Sequence, residues 1–193
     1  MPRPRSHSPD AVLDAARAIV LRNGARAATV AAIARASGAP TGSLYHAFGS
    51  RDALLTAAWE RAARRSQAAW VQAAERPDPV EAGAAMALSL LAFAREQRDD
   101  CRLLLGMRVE DLVDGPAPDY ETVNAPVVET VEALARRIGG PAARERVALA
   151  TVDLPYGAIR RRLLGGKPPP PALDDPVAAA VRAILTHHQE LPR

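Results

Sequence analysis

The stretch that most constrains this chain is residues 29–51, TVAAIARASGAPTGSLYHAFGSR. Two short runs with helical apolar spacing flank a turn built on Gly38, and Gly49-Ser50 leads into a further helix. A turn of that length between two short helices is the helix-turn-helix pattern, whose second helix fits the DNA major groove. The alternation of β-branched residues that marks strands is missing almost everywhere. Alanine dominates, and aromatic residues are only 4 % of the chain. An all-α fold follows.

Charge is distributed in a way that fits this reading. Residues 1–65 hold ten arginines against Asp10, Asp14, Asp52 and Glu60, a balance of +6, whereas the remainder sums to −3. A basic head on a slightly acidic body suits a polyanion met by one end, although charge alone fits a solvated arginine-rich surface equally well. The single cysteine, Cys101, leaves no internal disulfide, and no paired Cys/His spacing suggests zinc. The first ten residues are basic without the apolar run of a signal peptide. The longest uncharged apolar stretch, Ala82 to Ala94, falls short of the ~20 residues of a membrane span. A soluble, cytoplasmic protein without a membrane partner is the expectation.

Local signals divide the N-terminal part into helices. Ser8-Pro9 is a cap followed by proline at a position where its missing N–H costs nothing. Val12, Ala16, Ile19 and Val20 form the stripe of a first helix that Asn23-Gly24 closes. Thr29 caps the second helix, with Val30, Ile33 and Ala34 inward, and Pro40 opens the third at its first position. At ~100° per residue, Tyr45, Gly42 and His46 share one outward arc with Thr41 at its edge. Leu44 and Ala47 are expected to face the core, followed by Phe48. A glycine on the outward face lets the backbone approach another surface closely. Thr41 and Ser43 can hydrogen-bond base edges or phosphates, and Tyr45 and His46 can reach phosphate oxygens. Arg51 lies at a helix N-terminus, where the dipole disfavours a cation, and this suits a phosphate clamp. Arg5 lies in a Pro- and Ser-rich arm and adds a further cation.

The segment TVAAIARASGAPTGSLYHAFGSRDALL resembles the DNA-binding segment of the TetR family of transcriptional regulators. The likeness rests on a threonine opening the second helix, an apolar-Ala pair, a turn glycine and Gly-Ser-Leu-Tyr-His-x-Phe followed by Ser-Arg-Asp. It implies a phosphate contact for Thr29, base or phosphate contacts for Thr41, Gly42 and Ser43, and phosphate contacts for Tyr45, His46 and Arg51. It places Leu44 and Phe48 in the core. Residues 1–52 would be a three-helix helix-turn-helix DNA-binding domain. Residues 53–193 would be a helical ligand-binding and dimerisation domain, with about nine helices in total.

The body is punctuated by Pro77-Asp78-Pro79, Asp114-Gly115-Pro116, Gly139-Gly140-Pro141 and the prolines 168–171. Helices are expected over 80–97, 101–112, 118–137, 142–164 and 174–188. The last two suit a four-helix homodimer interface, with a monomer core as the other reading. Pro155 should kink the helix it interrupts and free a backbone carbonyl. The candidate ligand-pocket residues are the large side chains Trp59, Trp70, Met86, Phe93, Met107, Tyr120 and Tyr156, although any single one at helical spacing is more often core than a ligand contact.

The function expected is a ligand-responsive repressor that binds a pseudo-palindromic double-stranded DNA operator as a homodimer and is released by a small-molecule effector. The alternative is a helical dimeric protein-interaction module that does not bind DNA. An enzyme is not expected: the four histidines make no Glu-x-x-His pair, and no phosphate loop or Gly-x-Ser-x-Gly occurs. No cofactor or metal is implied.

Overall fold

The computed structural model describes residues 8–107 and 119–187. Arg5 and the expected helix segment beyond Met107 lie outside the described residues, as does His188. Every regular element among those described is helical: α1 (Pro9–Asn23), α2 (Val30–Ser37), α3 (Thr41–Phe48), α4 (Arg51–Ala73), α5 (Pro79–Glu96), α6 (Arg98–Gly106), α7 (Tyr120–Ile138), α8 (Arg144–Ala148), α9 (Leu154–Leu164) and α10 (Asp174–Thr186). A π-helical turn, Leu149–Asp153, joins α8 to α9. With that run counted as one helix there are nine among the described residues. The chain divides into two compact units. The first takes residues 1–63 and 99–120, the second 64–98 and 121–193.

In the first unit the caps do what their chemistry allows. Ser8 Oγ accepts from the Ala11 amide at 3.2 Å, Thr29 Oγ1 from Ala32 at 3.1 Å, and Ser50 Oγ from Ala53 at 3.1 Å. Gly38 turns the chain between α2 and α3 at φ 73°, a left-handed conformation that favours glycine. Pro40 is the N-cap of α3, one residue earlier than its expected place, and Thr41 is the first helical residue. Val12, Leu13, Ala16 and Ile19 of α1 are buried, as are Val30, Ile33 and Ala34 of α2 and Leu44 of α3. α1 packs on α2 and α2 on α3, so the two short helices are supported from one side.

Charged pairs tie α6 and α4 into this unit. Arg61 of α4 donates to Asp10 at 2.6 Å and to Asp14 at 2.5 Å, both on α1. Asp14 also lies 3.3 Å from Arg17, and Arg17 pairs with the buried Asp100 of α6. Burial of Asp100 requires such a partner.

The second unit is built around Trp70, Met86, Leu91, Leu134, Val147, Val181 and Leu185, all buried in one cluster. α5 and α10 share its most extensive helix–helix contact. Gly83 makes that approach possible, because a Cβ placed there would overlap Leu185 Cδ1. Pro155 is accommodated differently from a simple kink: the preceding turn widens to π geometry, and Pro155 falls in the first turn of α9. The carbonyl four residues before it, Thr151, cannot receive the amide hydrogen that proline lacks. The indole N–H of Trp70 donates to that carbonyl at 3.1 Å in a buried setting.

Candidate nucleic-acid interface

α3 stands out from the first unit along most of its circumference. Leu44 is buried and Phe48 half-buried, whereas Thr41, Gly42, Ser43, Tyr45, His46 and Ala47 are exposed. Taking ~100° per residue, the line between Leu44 and Phe48 marks the anchored side. Tyr45 and Ala47 then lie about 80° to either side of it, Ser43 and Gly42 about 120° and 140° away, and His46 directly opposite. Ala47 is therefore not the core residue that the sequence reading expected. Three residues beyond Leu44, it rotates past the edge of the α2 contact. Tyr45 is 53 % exposed, the profile of a ring resting on the rim with its hydroxyl free to reach outward.

The helix is short, and its composition allows that exposure. An eight-residue helix gains little from propensity alone and is held by Leu44, by Phe48 and by the turns at Gly38 and Gly49. A Cβ at Gly42 would meet nothing within 4 Å, so no packing demand inside this unit calls for the missing side chain. Thr29, also exposed, spends its hydroxyl oxygen on the α2 cap and keeps its O–H available to donate.

Arg51 departs from the expectation of a cation held out for a phosphate. Its Nη2–H donates to the Ala25 carbonyl at 2.6 Å, its Nε–H to the Ala28 carbonyl at 3.3 Å, and its Nη1 pairs with the buried carboxylate of Asp52. These bonds lock the start of α4 to the 3-10 turn Ala25–Ala27 that delivers the chain into α2. The unfavourable dipole position is offset by these three partners. Sequence reasoning missed this role because the two carbonyls lie 23 and 26 residues away in the chain.

Residues 12–58 match the sequence profile of the bacterial regulatory proteins of the tetR family. The family likeness in sequence is carried by this stretch. The TetR-type segment spans most of α1 through the first turns of α4, which is the part of the molecule just described. No curated protein matches the chain in sequence. Among solved structures, a putative tetR family transcription regulator from Shewanella sp. PV-4 aligns over 92 % of this chain and 95 % of its own at 17 % identity, with a TM-score of 0.69. A TetR family transcription regulator from Marinobacter aquaeolei VT8 gives 0.71 over 91 % and 94 % at 17 % identity. The fatty acid degradation regulator FadR from Bacillus halodurans gives 0.68 over 91 % and 98 % at 16 % identity. At these identities the likeness is one of fold, over 91–92 % of this chain. The TetR family is one of transcription regulators rather than enzymes.

The large side chains expected around a ligand divide between the two units. Trp59, Met107 and Tyr120 belong to the first, where the Trp59 and Tyr120 rings meet edge to face with centroids 5.0 Å apart. Trp70, Met86, Phe93 and Tyr156 belong to the second. Trp70 and Met86 are core there, Tyr156 is exposed, and Phe93 lines an open groove. That groove, of about 630 Å³, adjoins another of about 640 Å³, and the two share Ala69, Ser89 and Ala92. Alanines of α4 and α5 line their shared part, with polar and charged side chains around them. Two bidentate ion pairs, Arg95–Asp174 and Arg182–Glu81, stand at the larger one. The Arg182 guanidinium holds the Glu81 carboxyl below its ordinary range. No signal for this groove was available in the sequence, since its lining comes from residues far apart in the chain. Among the described residues no helix is long and apolar enough to cross a membrane, and no cluster of His, Cys, Asp and Glu could hold a metal ion.

Proposed function

We propose that this TetR-family chain is a ligand-responsive repressor that binds a pseudo-palindromic operator as a homodimer and leaves it when a small molecule occupies the second unit. The observation that carries the reading is the outward face of α3. Five polar or glycine positions, Thr41, Gly42, Ser43, Tyr45 and His46, are exposed together on a helix anchored from one side. A helix presented in that way matches the dimensions of the major groove, and phosphate-facing hydroxyls at its edges would fix its register. Thr29 and Tyr45 take the phosphate role in this proposal. Arg5 would add a cation, while Arg51 braces the domain instead of touching DNA. In functional terms residues 1–52 read DNA, and residues 53–193 bind ligand and dimerise through the last two helices.

The adjoining grooves along α4 and α5 are the place we assign to the effector. Their volumes fall in the 300–1,000 Å³ range of small-molecule sites. To take operator occupancy from 99:1 to 1:99, the effector must favour the released conformation by about 5.5 kcal/mol. Two heads on a symmetric dimer would meet half-sites about 34–36 Å apart.

The direct test is a gel shift with the DNA upstream of the chain's own gene and of its divergent neighbour, followed by footprinting. A protected region with two-fold symmetry is expected. Absence of any retardation by either DNA or by random duplex at low salt would favour a protein-interaction module in its place.

A further inference from the structure

The geometry points to His46 as a base-reading, specificity-determining residue, in contrast to the phosphate contact expected of it from sequence. The inference rests on the proposal that α3 enters the major groove. It adds which residue meets the groove floor. On a helix lying in the groove, side chains at the edges of the exposed arc face the sugar–phosphate walls, and those opposite the anchored side face the base edges. Tyr45 and Ala47 occupy the edges at about 80° from the anchored line, while His46 lies at about 180°.

Two further observations place the imidazole where it could work. Helical side chains lean toward the N-terminus, so the ring of His46 leans over the turn that carries Gly42, four residues earlier. Nothing stands within 4 Å of a Cβ at Gly42, and Gly42 itself offers none, so this column of the helix is low except for the imidazole. The residues of α3 include no arginine or lysine, which leaves His46 as the one side chain of α3 carrying a nitrogen donor. An imidazole N–H meets an acceptor, and guanine presents two on its major-groove edge, N7 and O6. Adenine pairs its N7 with an amino donor that would oppose the imidazole N–H. His46 therefore selects guanine.

The experiment is a selection from a random duplex pool with the full-length chain, run in parallel with His46→Ala and Tyr45→Phe. The wild type is expected to enrich a motif holding a guanine whose preference disappears with His46→Ala while the other positions persist. Binding to the wild-type motif should fall about tenfold, within the range of a single base contact. Replacing that guanine by 7-deazaguanine should cost the wild type affinity and leave His46→Ala indifferent. Tyr45→Phe should weaken all sequences alike. An unchanged motif with His46→Ala, together with uniformly weaker binding and a log–log salt slope reduced by about 0.9, would overturn the inference and return His46 to a phosphate. No enrichment by the wild type would overturn the DNA-reading proposal itself, a result distinct from the first. Because His46 is exposed, an unaltered thermal midpoint in His46→Ala shows that the fold is intact.

Discussion

Arg51→Ala separates a brace from a phosphate clamp, and the structure sets the size of the difference. The substitution removes a short charged-donor bond to Ala25, worth about 1.5–3 kcal/mol. The 3.3 Å bond to Ala28 lies past the favourable range and adds about 0.5 kcal/mol at most. Asp52 loses its neighbouring cation while its side chain stays 5 % exposed, but it keeps other interactions, so the loss falls short of the 3–5 kcal/mol of a fully orphaned buried charge. The sum is about 2–4 kcal/mol. For a unit of this size, each kcal/mol moves the midpoint by about 4–8 °C, so a fall of about 8 °C or more is expected by circular dichroism without DNA. The log–log salt slope of operator binding, measured well below the new midpoint, should stay that of the wild type. A midpoint within a degree or two of wild type, with a slope reduced by about 0.9, would refute the reasoning and make Arg51 a phosphate contact.

Other consequences are equally open to measurement. Gly42→Ala should leave stability unchanged or raise it by up to about 1 kcal/mol, because a Cβ there is unobstructed, yet it should weaken operator binding; an unaltered affinity would show that the backbone does not approach DNA closely. Gly83→Ala gains about 1 kcal/mol of helix propensity but forces Leu185 from its packed position at about 1–3 kcal/mol, so net destabilisation is expected in urea melts. Pairing it with Leu185→Ala should cost less than the two changes added. Trp70→Phe leaves the Thr151 carbonyl without its indole donor and should destabilise by about 1–3 kcal/mol, with unfolding followed at a wavelength that does not depend on Trp70.

Burial, followed by the charge of Asp100, pushes the Cys101 thiol up to about 11. The folded state thus holds its proton after the unfolded state has lost it. Stability should be unaffected below about pH 8.5 and fall as the pH rises from there toward 11. Alkylation at pH 8 should be slow until denaturant is added.

Much of the local architecture was legible because its causes are local. Ser8, Thr29 and Ser50 cap their helices through bonds spanning three residues, and Gly38 takes the left-handed turn that its position demanded. The outward exposure of Gly42, Ser43, Tyr45 and His46 follows from helical periodicity once Leu44 is placed inside, whereas Thr41 is exposed as the first residue of the helix. Ala47 was misplaced for the opposite reason. Alanine fits either side of a helix, and only the α2 contact decides where the boundary falls. The division of the chain was harder to read, since α6 joins the first unit through Arg17 and Asp100, 83 residues apart.

Sequence alone determined the helical class, the helix-turn-helix spacing and the polar character of the α3 surface, all of which depend on neighbours within one or two helical turns. Tertiary structure alone decided that Arg51 faces inward, that Trp70 donates to the carbonyl four residues before Pro155, and that small residues of α4 and α5 line open grooves. Each of these depends on groups brought together across many residues. A carbonyl, an indole and a missing side chain carry no mark of their eventual partners until the chain has packed.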